Sequence, residues 1–244
     1  MQKQFERTAM LYGREKIEQL KNRRVAIFGI GGVGGHCAEG LCRTGIGKID
    51  LYDRDIIEVS NINRQIIATH KTVGRSKVEA MRERMLEINP EAEVGAYKLF
   101  YLPQTADEVD FTKYDYIIDA VDTVSAKLEI VCRAKTLGIP VISSMGAANK
   151  YDPSALEVAD IYETSVCPIA RVMRNELRKR GVGALKVVYS KETPLKQAFD
   201  SAASGEGSVL SGDIKRRPTP ASNAFVPAVA GLIIASEVIK DLRS

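Results

Sequence analysis

Residues 24–35 read RVAIFGIGGVGG, an apolar, β-branched run that closes on glycines and passes into the helical pattern GGHCAEGLCRTG. Gly29, Gly31 and Gly34 give GxGxxG between a strand and a helix, the spacing that lets a backbone approach phosphate groups at a helix N-terminus. Asp53 closes the next strand, KIDLYD, where a carboxylate can accept from ribose hydroxyls. A dinucleotide and ATP satisfy these residues equally, so at this point both readings stand.

Working outward, short β-branched runs alternate with helical patterns. VGAYKLF, YDYIIDAVD and PVISSMG read as further strands, KVEAMRERMLEIN and AKLEIVCRAKTLG as helices, so five strands precede residue 147. That alternation predicts an α/β chain with a Rossmann-like, doubly wound, mostly parallel sheet covered by helices on both faces. Past Lys150 a basic helix (IARVMRNELRKRG) and a strand (ALKVVYS) follow. Residues 201–223, rich in Ser, Gly and Pro without hydrophobic periodicity, are expected to form a long mobile crossover loop. The apolar run 225–239 contains Glu237 and is too short for a membrane span, so it reads as a buried C-terminal helix over 226–241 that starts at Pro227. The chain is thus expected to be one domain over 1–244, opened by a helical segment at 1–22.

Composition limits the function. At 244 residues and 45% hydrophobic the chain can bury a full core, and a net charge of +4 from 35 basic and 31 acidic residues permits a nucleic-acid partner without requiring one. The four cysteines, Cys37, Cys42, Cys132 and Cys167, form no CxxC pair and no disulfide framework, which predicts a reducing compartment and no structural zinc. The charged N-terminus lacks a signal-peptide apolar core, and a cytoplasmic protein is expected. Cys37, Cys42 and Cys132 read as core residues, and Cys167 before Pro168 as the one loosely held thiol. His36 reads as packed behind the glycine turn.

The segment DRDIIEVSNINRQ brings Asp55, Asn61, Asn63, Arg64 and Gln65 into a short polar connection, and Lys77 then opens a helix. A nicotinamide needs a largely apolar slot, whereas an arginine fork and a lysine point charge arriving from two segments suit a triphosphate and the charge that builds on leaving pyrophosphate. These residues favour ATP. Asp119 and Asp122 end the strand YDYIIDAVD at the sheet's carboxyl edge. Asp122, beyond the strand, is placed to hold Mg2+ beside phosphate oxygens, or else, with Thr123, to cap the following helix.

GIGGVGG, DRDIIEVSNINRQ, GRSKVEAMRERMLEINP and DAVDT together resemble the adenylating family of ubiquitin-activating-enzyme-like proteins, which includes the activators of sulfur carriers in thiamine and molybdopterin synthesis. The resemblance implies that the turn binds ATP and that a substrate carboxylate attacks the α-phosphate, giving an acyl-adenylate and pyrophosphate. By position it implies that Gly32 and its neighbouring glycines contact phosphate, that Asp53 holds the ribose, that Arg64 and Lys77 bind the triphosphate and that Asp122 serves Mg2+. It also implies a homodimer, because Arg7 in FERTAMLYG matches an arginine that reaches the partner subunit's ATP.

The later segments, residues 143–181, LKVVYSKE and NAFVPAVAGLIIASEVIKDL, are similar to a narrower branch, the tRNA threonylcarbamoyladenosine dehydratases. That branch activates the threonyl carboxylate of a modified adenosine beside the anticodon, and the intermediate cyclises with loss of AMP. Such a reaction needs no protein nucleophile, in keeping with the lack of any cysteine after Cys167. The resemblance makes tRNA the partner, with Arg171, Arg174, Arg178, Lys179, Arg180, Lys215, Arg216 and Arg217 available to its phosphates, and allows a sulfur-transfer partner protein. The competing readings are an activator of a sulfur-carrier or ubiquitin-like protein and a plain NAD-dependent oxidoreductase.

Overall fold

The computed structural model describes residues 2–198 and 220–243. Two helices come first, α1 (Glu6–Tyr12) and α2 (Arg14–Asn22), separated at Gly13, whose φ of 89° breaks the helical run. Then follow β1 (Arg24–Phe28), α3 (Gly32–Thr44), β2 (Lys48–Tyr52), α4 (Lys77–Ile88), β3 (Glu93–Tyr97), β4 (Tyr116–Asp119), α5 (Val124–Thr136), β5 (Val141–Ser144), β6 (Leu156–Asp160), α6 (Pro168–Lys179), β7 (Lys186–Ser190) and α7 (Phe225–Arg243).

The strands form one sheet in the order β3-β2-β1-β4-β5-β7-β6, parallel throughout except where β6 runs antiparallel to β7. The mostly parallel, doubly wound sheet is therefore as the alternation predicts, with β6 as an addition. Leu156–Asp160 is half-buried except at Val158, which is exposed, so it lacks the continuous buried run that marks the central strands.

Alternation along the strands sorts the core into two layers. Val25, Ile27, Ile49, Leu51 and Ile118 face α2, α3, α4 and α7, whereas Ala26, Phe28, Ile117, Val141 and Val187 face α5 and α6. Helix α7 lies directly on α3. A Cβ at Gly231 would stand 2.2 Å from the Val33 carbonyl oxygen and one at Gly40 3.0 Å from Ala235 Cβ, so the crossing depends on both positions lacking a side chain. The helix begins two residues before Pro227, because the Asn223 side chain accepts from the backbone N–H groups of Phe225 and Val226, each at 2.9 Å. Of the expected loop over 201–223, residues 201–219 lie outside the described residues, as do Lys215, Arg216 and Arg217.

The strand order reverses between β1 and β4, where Phe28 pairs with Asp119. Helices leave these neighbouring strands in opposite directions, and the cleft so opened at the carboxyl ends is where open α/β sheets take ligands.

Candidate functional site

The glycine turn sits at that cleft. Gly29, at a φ of 90°, lies so close to β4 that a Cβ would meet the Ala120 carbonyl oxygen at 2.7 Å, and a Cβ on Gly34 would overlap the Gly29 oxygen at 1.8 Å. These two glycines let α3 start hard against the sheet. Among the described residues nothing lies within 4 Å of a Cβ position at Gly31, and Gly32 has Pro227 and Arg64 beside it. Gly29, Gly31 and Gly32 line a cavity of about 820 Å³, while Gly34 does not.

The same cavity gathers Asp53, Asp55, Asn61, Arg64, Gln65, Lys77 and Asp122. Asp53 is bound on both carboxylate oxygens, accepting the Ile30 N–H of the glycine turn at 2.7 Å and the Asp55 N–H at 2.9 Å. Burial raises its pKa above the ordinary carboxylate value, opposed by the nearby Lys77 charge and these two amides. The acid thereby ties the end of β2 to the turn after β1.

Lys77 is buried, and its ammonium donates to an Asp55 carboxylate oxygen at 2.7 Å. Asp55, expected among the nucleotide-binding residues, neutralises this cation. Arg64 donates to the Ser60 carbonyl at 2.9 Å and to Asn63 Oδ1 at 2.8 Å, which fixes its guanidinium, and its Cγ lies 3.5 Å from where a Cβ on Gly32 would stand. Asn61 closes a capping box with Glu58 around the short helical turn Val59–Asn61, an architectural use of a residue expected to touch ligand. Gln65 Oε1 and Tyr101 Oη are buried with no hydrogen-bond partner among the described residues. Both residues line the cavity, and an unpaired buried polar atom is costly unless a ligand satisfies it.

Besides Gly34, two expected residues fall outside the cavity lining. Asn63 donates instead to the Ser222 carbonyl at 3.1 Å, and Arg7 is exposed on α1. Asp122 is exposed at the cavity margin and accepts from Thr123 Oγ1 at 3.3 Å. Neither it nor Thr123 caps α5 through a side chain. Among the described residues no three of His, Cys, Asp or Glu gather as a metal cage. A lone carboxylate at the margin of a cavity with Arg64 and Lys77 in its lining would still fit Mg2+ beside a bound phosphate, since this ion keeps waters and takes one or two carboxylates plus phosphate oxygens.

The cavity also contains residues not singled out by sequence reasoning. Lys127 is buried in α5, where its ammonium reaches Asp119 at 2.9 Å, the Ser144 carbonyl at 2.7 Å and Ser143 Oγ at 3.3 Å. Phe28, Tyr52, Phe100 and Tyr101 give one aromatic wall, with the Arg54 guanidinium 3.8 Å from the Phe100 ring centroid. Residues 144–148 with Ile169, Pro220, Ser222 and Pro227 form another part of the lining.

Three expectations change with the structure. Cys167 is not loosely held: it is buried, and a Cβ on Gly146 would contact its sulfur at 3.7 Å. Its neighbour Val166, at a φ of 46° and exposed, takes the sharp turn instead. Cys132 is only partly buried, although Cys37 and Cys42 are core residues as expected. The basic helix α6 is partly self-neutralised. Lys179 and Arg180 pair with Glu176, Arg174 is bonded to Thr164, and Arg178 stacks over Tyr162. His36 packs behind the turn as expected, its Nδ1 2.7 Å from the Gly32 oxygen. No helix among the described residues is long and apolar enough to cross a membrane.

A model of the family described as ThiF matches residues 5–243. The chain is 43% identical over 243 residues to the tRNA threonylcarbamoyladenosine dehydratase of Bacillus subtilis (strain 168), an alignment covering 98% of this chain and 94% of that protein. The solved structure of E. coli tRNA N6-threonylcarbamoyladenosine dehydratase in complex with AMP matches with a TM-score of 0.86 at 31% identity, covering 98% of this chain and 93% of that one. The complex of the same E. coli enzyme with ATP matches at a TM-score of 0.85, 31% identity and the same coverage.

Proposed function

The chain belongs to the ThiF family, and on that premise we propose that it is an ATP-dependent enzyme that dehydrates threonylcarbamoyladenosine in tRNA, next to the anticodon. The threonyl carboxylate attacks the α-phosphorus of ATP, the α–β phosphoanhydride bond breaks and pyrophosphate leaves. A nitrogen of the neighbouring carbamoyl group then attacks the acyl carbon, loses its proton and expels AMP. The nucleoside has lost one water, whose elements are accounted for by the conversion of ATP to AMP and pyrophosphate. The main support is the match along 98% of the chain to an enzyme solved with ATP and with AMP.

In this reading Gly31 and Gly32 leave room for phosphate, Asp53 accepts from the ribose, and Arg64 and Lys77 carry the cationic charge that stabilises departing pyrophosphate. Lys77 would then exchange Asp55 for phosphate oxygens. Asp122 would hold Mg2+, which when bound supplies positive charge to the phosphate oxygens. The buried acceptor of Gln65 is open to a polar group of the ligand. Ring closure is intramolecular, so proximity supplies the nucleophile and the protein's task is adenylation, orientation and exclusion of water. The burial of Cys167 supports this reading over thioester transfer to a protein cysteine.

A homodimer in which Arg7 reaches the partner subunit's ATP, a cytoplasmic location and a sulfur-transfer partner protein belong to the same proposal on the resemblance alone. The test is pyrophosphate exchange: exchange into ATP should require tRNA carrying threonylcarbamoyladenosine and be lost in Arg64→Ala and Asp122→Ala with the fold retained. Full exchange in both variants would refute the site assignment.

A further inference from the structure

Tyr151 and Phe225 are exposed aromatic side chains, 75% and 64% accessible, on backbone that is firmly held. The Tyr151 N–H donates to the Glu192 carboxylate at 2.9 Å, and its carbonyl accepts from Asn223 Nδ2 at 3.5 Å. The same Asn223 side chain accepts the Phe225 N–H at 2.9 Å. One carboxamide thus joins the segment that carries Tyr151 to the first turn of α7 that carries Phe225. Both segments also line the cavity, through Ala147 and Ala148 before Tyr151 and through Ser222 and Pro227 on either side of Phe225.

We propose that Tyr151 and Phe225 form a stacking platform for the single-stranded RNA bases that flank the nucleoside held in the cavity. This rests on the reading of the cavity as the site of a tRNA nucleoside. A nucleoside within an RNA loop reaches an enclosed pocket only by leaving its stack, and its neighbours lose a stacking face when it does. Aromatic rings replace that face with little dependence on base identity. Rigid backbone under an exposed ring suits this, because the protein then orders few groups on binding. A nucleotide inside the cavity would have its own aromatic wall in Tyr52 and Phe100, which leaves Tyr151 and Phe225, both exposed, to a ligand that extends outside it. RNA is such a ligand, being continuous with the substrate in the cavity.

The experiment uses an anticodon stem-loop RNA carrying threonylcarbamoyladenosine with 2-aminopurine at the adjacent position. Tyr151→Ala and Phe225→Ala should each weaken binding and raise the KM for RNA by roughly tenfold, leave the KM for ATP unchanged and abolish part of the 2-aminopurine fluorescence change on binding. Tyr151→Phe and Phe225→Tyr should behave as the parent, since each keeps a ring. Parent-like RNA affinity in both alanine variants overturns the platform. So does a changed oligomeric state with unchanged RNA affinity, which would make this face a contact between copies of the chain. A parent protein that neither binds nor dehydrates the stem-loop overturns the functional reading itself, and the platform with it.

Discussion

The ammonium of Lys127 lies 2.9 Å from a carboxylate oxygen of Asp119, and the two side chains are 1% and 0% exposed. Asp119 also accepts the Ser143 hydroxyl and, at 3.2 Å, the Val121 N–H. The pair therefore joins the ends of β4 and β5 and holds the turn that presents Asp122. Removing one partner leaves a buried charge uncompensated, so Lys127→Met should lower unfolding free energy by about 3–5 kcal/mol. Adding Asp119→Asn should restore much of that, which denaturant titration of the single and double variants would measure. A Lys127→Met protein as stable as the parent would contradict the role.

The glycines of the turn divide by what their missing side chains leave room for. Gly34→Ala places a methyl 1.8 Å from the Gly29 oxygen and should prevent folding, whereas Gly31→Ala meets nothing within 4 Å among the described residues. Gly31→Ala should keep the parent's melting temperature and lose ATP affinity by about tenfold or more, because the added methyl would occupy the space that the proposed site gives to phosphate. Calorimetric ATP titration alongside thermal melting separates the two effects.

Much of this arrangement is legible in the sequence because its parts are contiguous. Strands β1 and β4 carry continuous apolar runs, Val25–Phe28 and Tyr116–Ile118, and the glycine turn, Asp53, Arg64 and Lys77 fall within 50 residues of one another in chain order. Lys127 is different. A lysine on a helix reads as a solvated face until Asp119 is known to point at it from the neighbouring strand. Strand β6 is hidden for a similar reason, since only its pairing with the later β7 distinguishes it from loop. The inward turn of Cys167 follows from the backbone at Val166, and no residue pattern announces it.

Glu39 gives the pH prediction. Burial opposes its ionisation, but hydrogen bonds from Arg84 and Arg43 outweigh that and hold its carboxyl below the ordinary value of 4.5. A carboxyl depressed in the folded state contributes stability that is present above its unfolded pKa and lost as pH falls through the folded value. Glu39→Gln should therefore cost about 1 kcal/mol at pH 7, discounted for the partly exposed arginines. The difference from the parent should shrink as pH drops below 4.5. Unfolding titrations of both proteins across the acid range check the sign, and a gap that widens there would contradict it.

The proposed trans role of Arg7 in a homodimer predicts complementation. Arg7→Ala and Asp122→Ala homodimers should each be inactive, while a mixed dimer contains one site with neither lesion and should regain up to about half the parent activity per dimer. Activity assays after demonstrated subunit exchange check this. No recovery would exclude a site built from both subunits.

The most direct measurement is mass spectrometry of nucleosides from tRNA carrying threonylcarbamoyladenosine after incubation with the purified protein, ATP and Mg2+, with gentle work-up to preserve a cyclic product. The account predicts a nucleoside lighter by one water, formed only with ATP and accompanied by pyrophosphate and AMP. An unchanged nucleoside, with no pyrophosphate release stimulated by that tRNA, would contradict it.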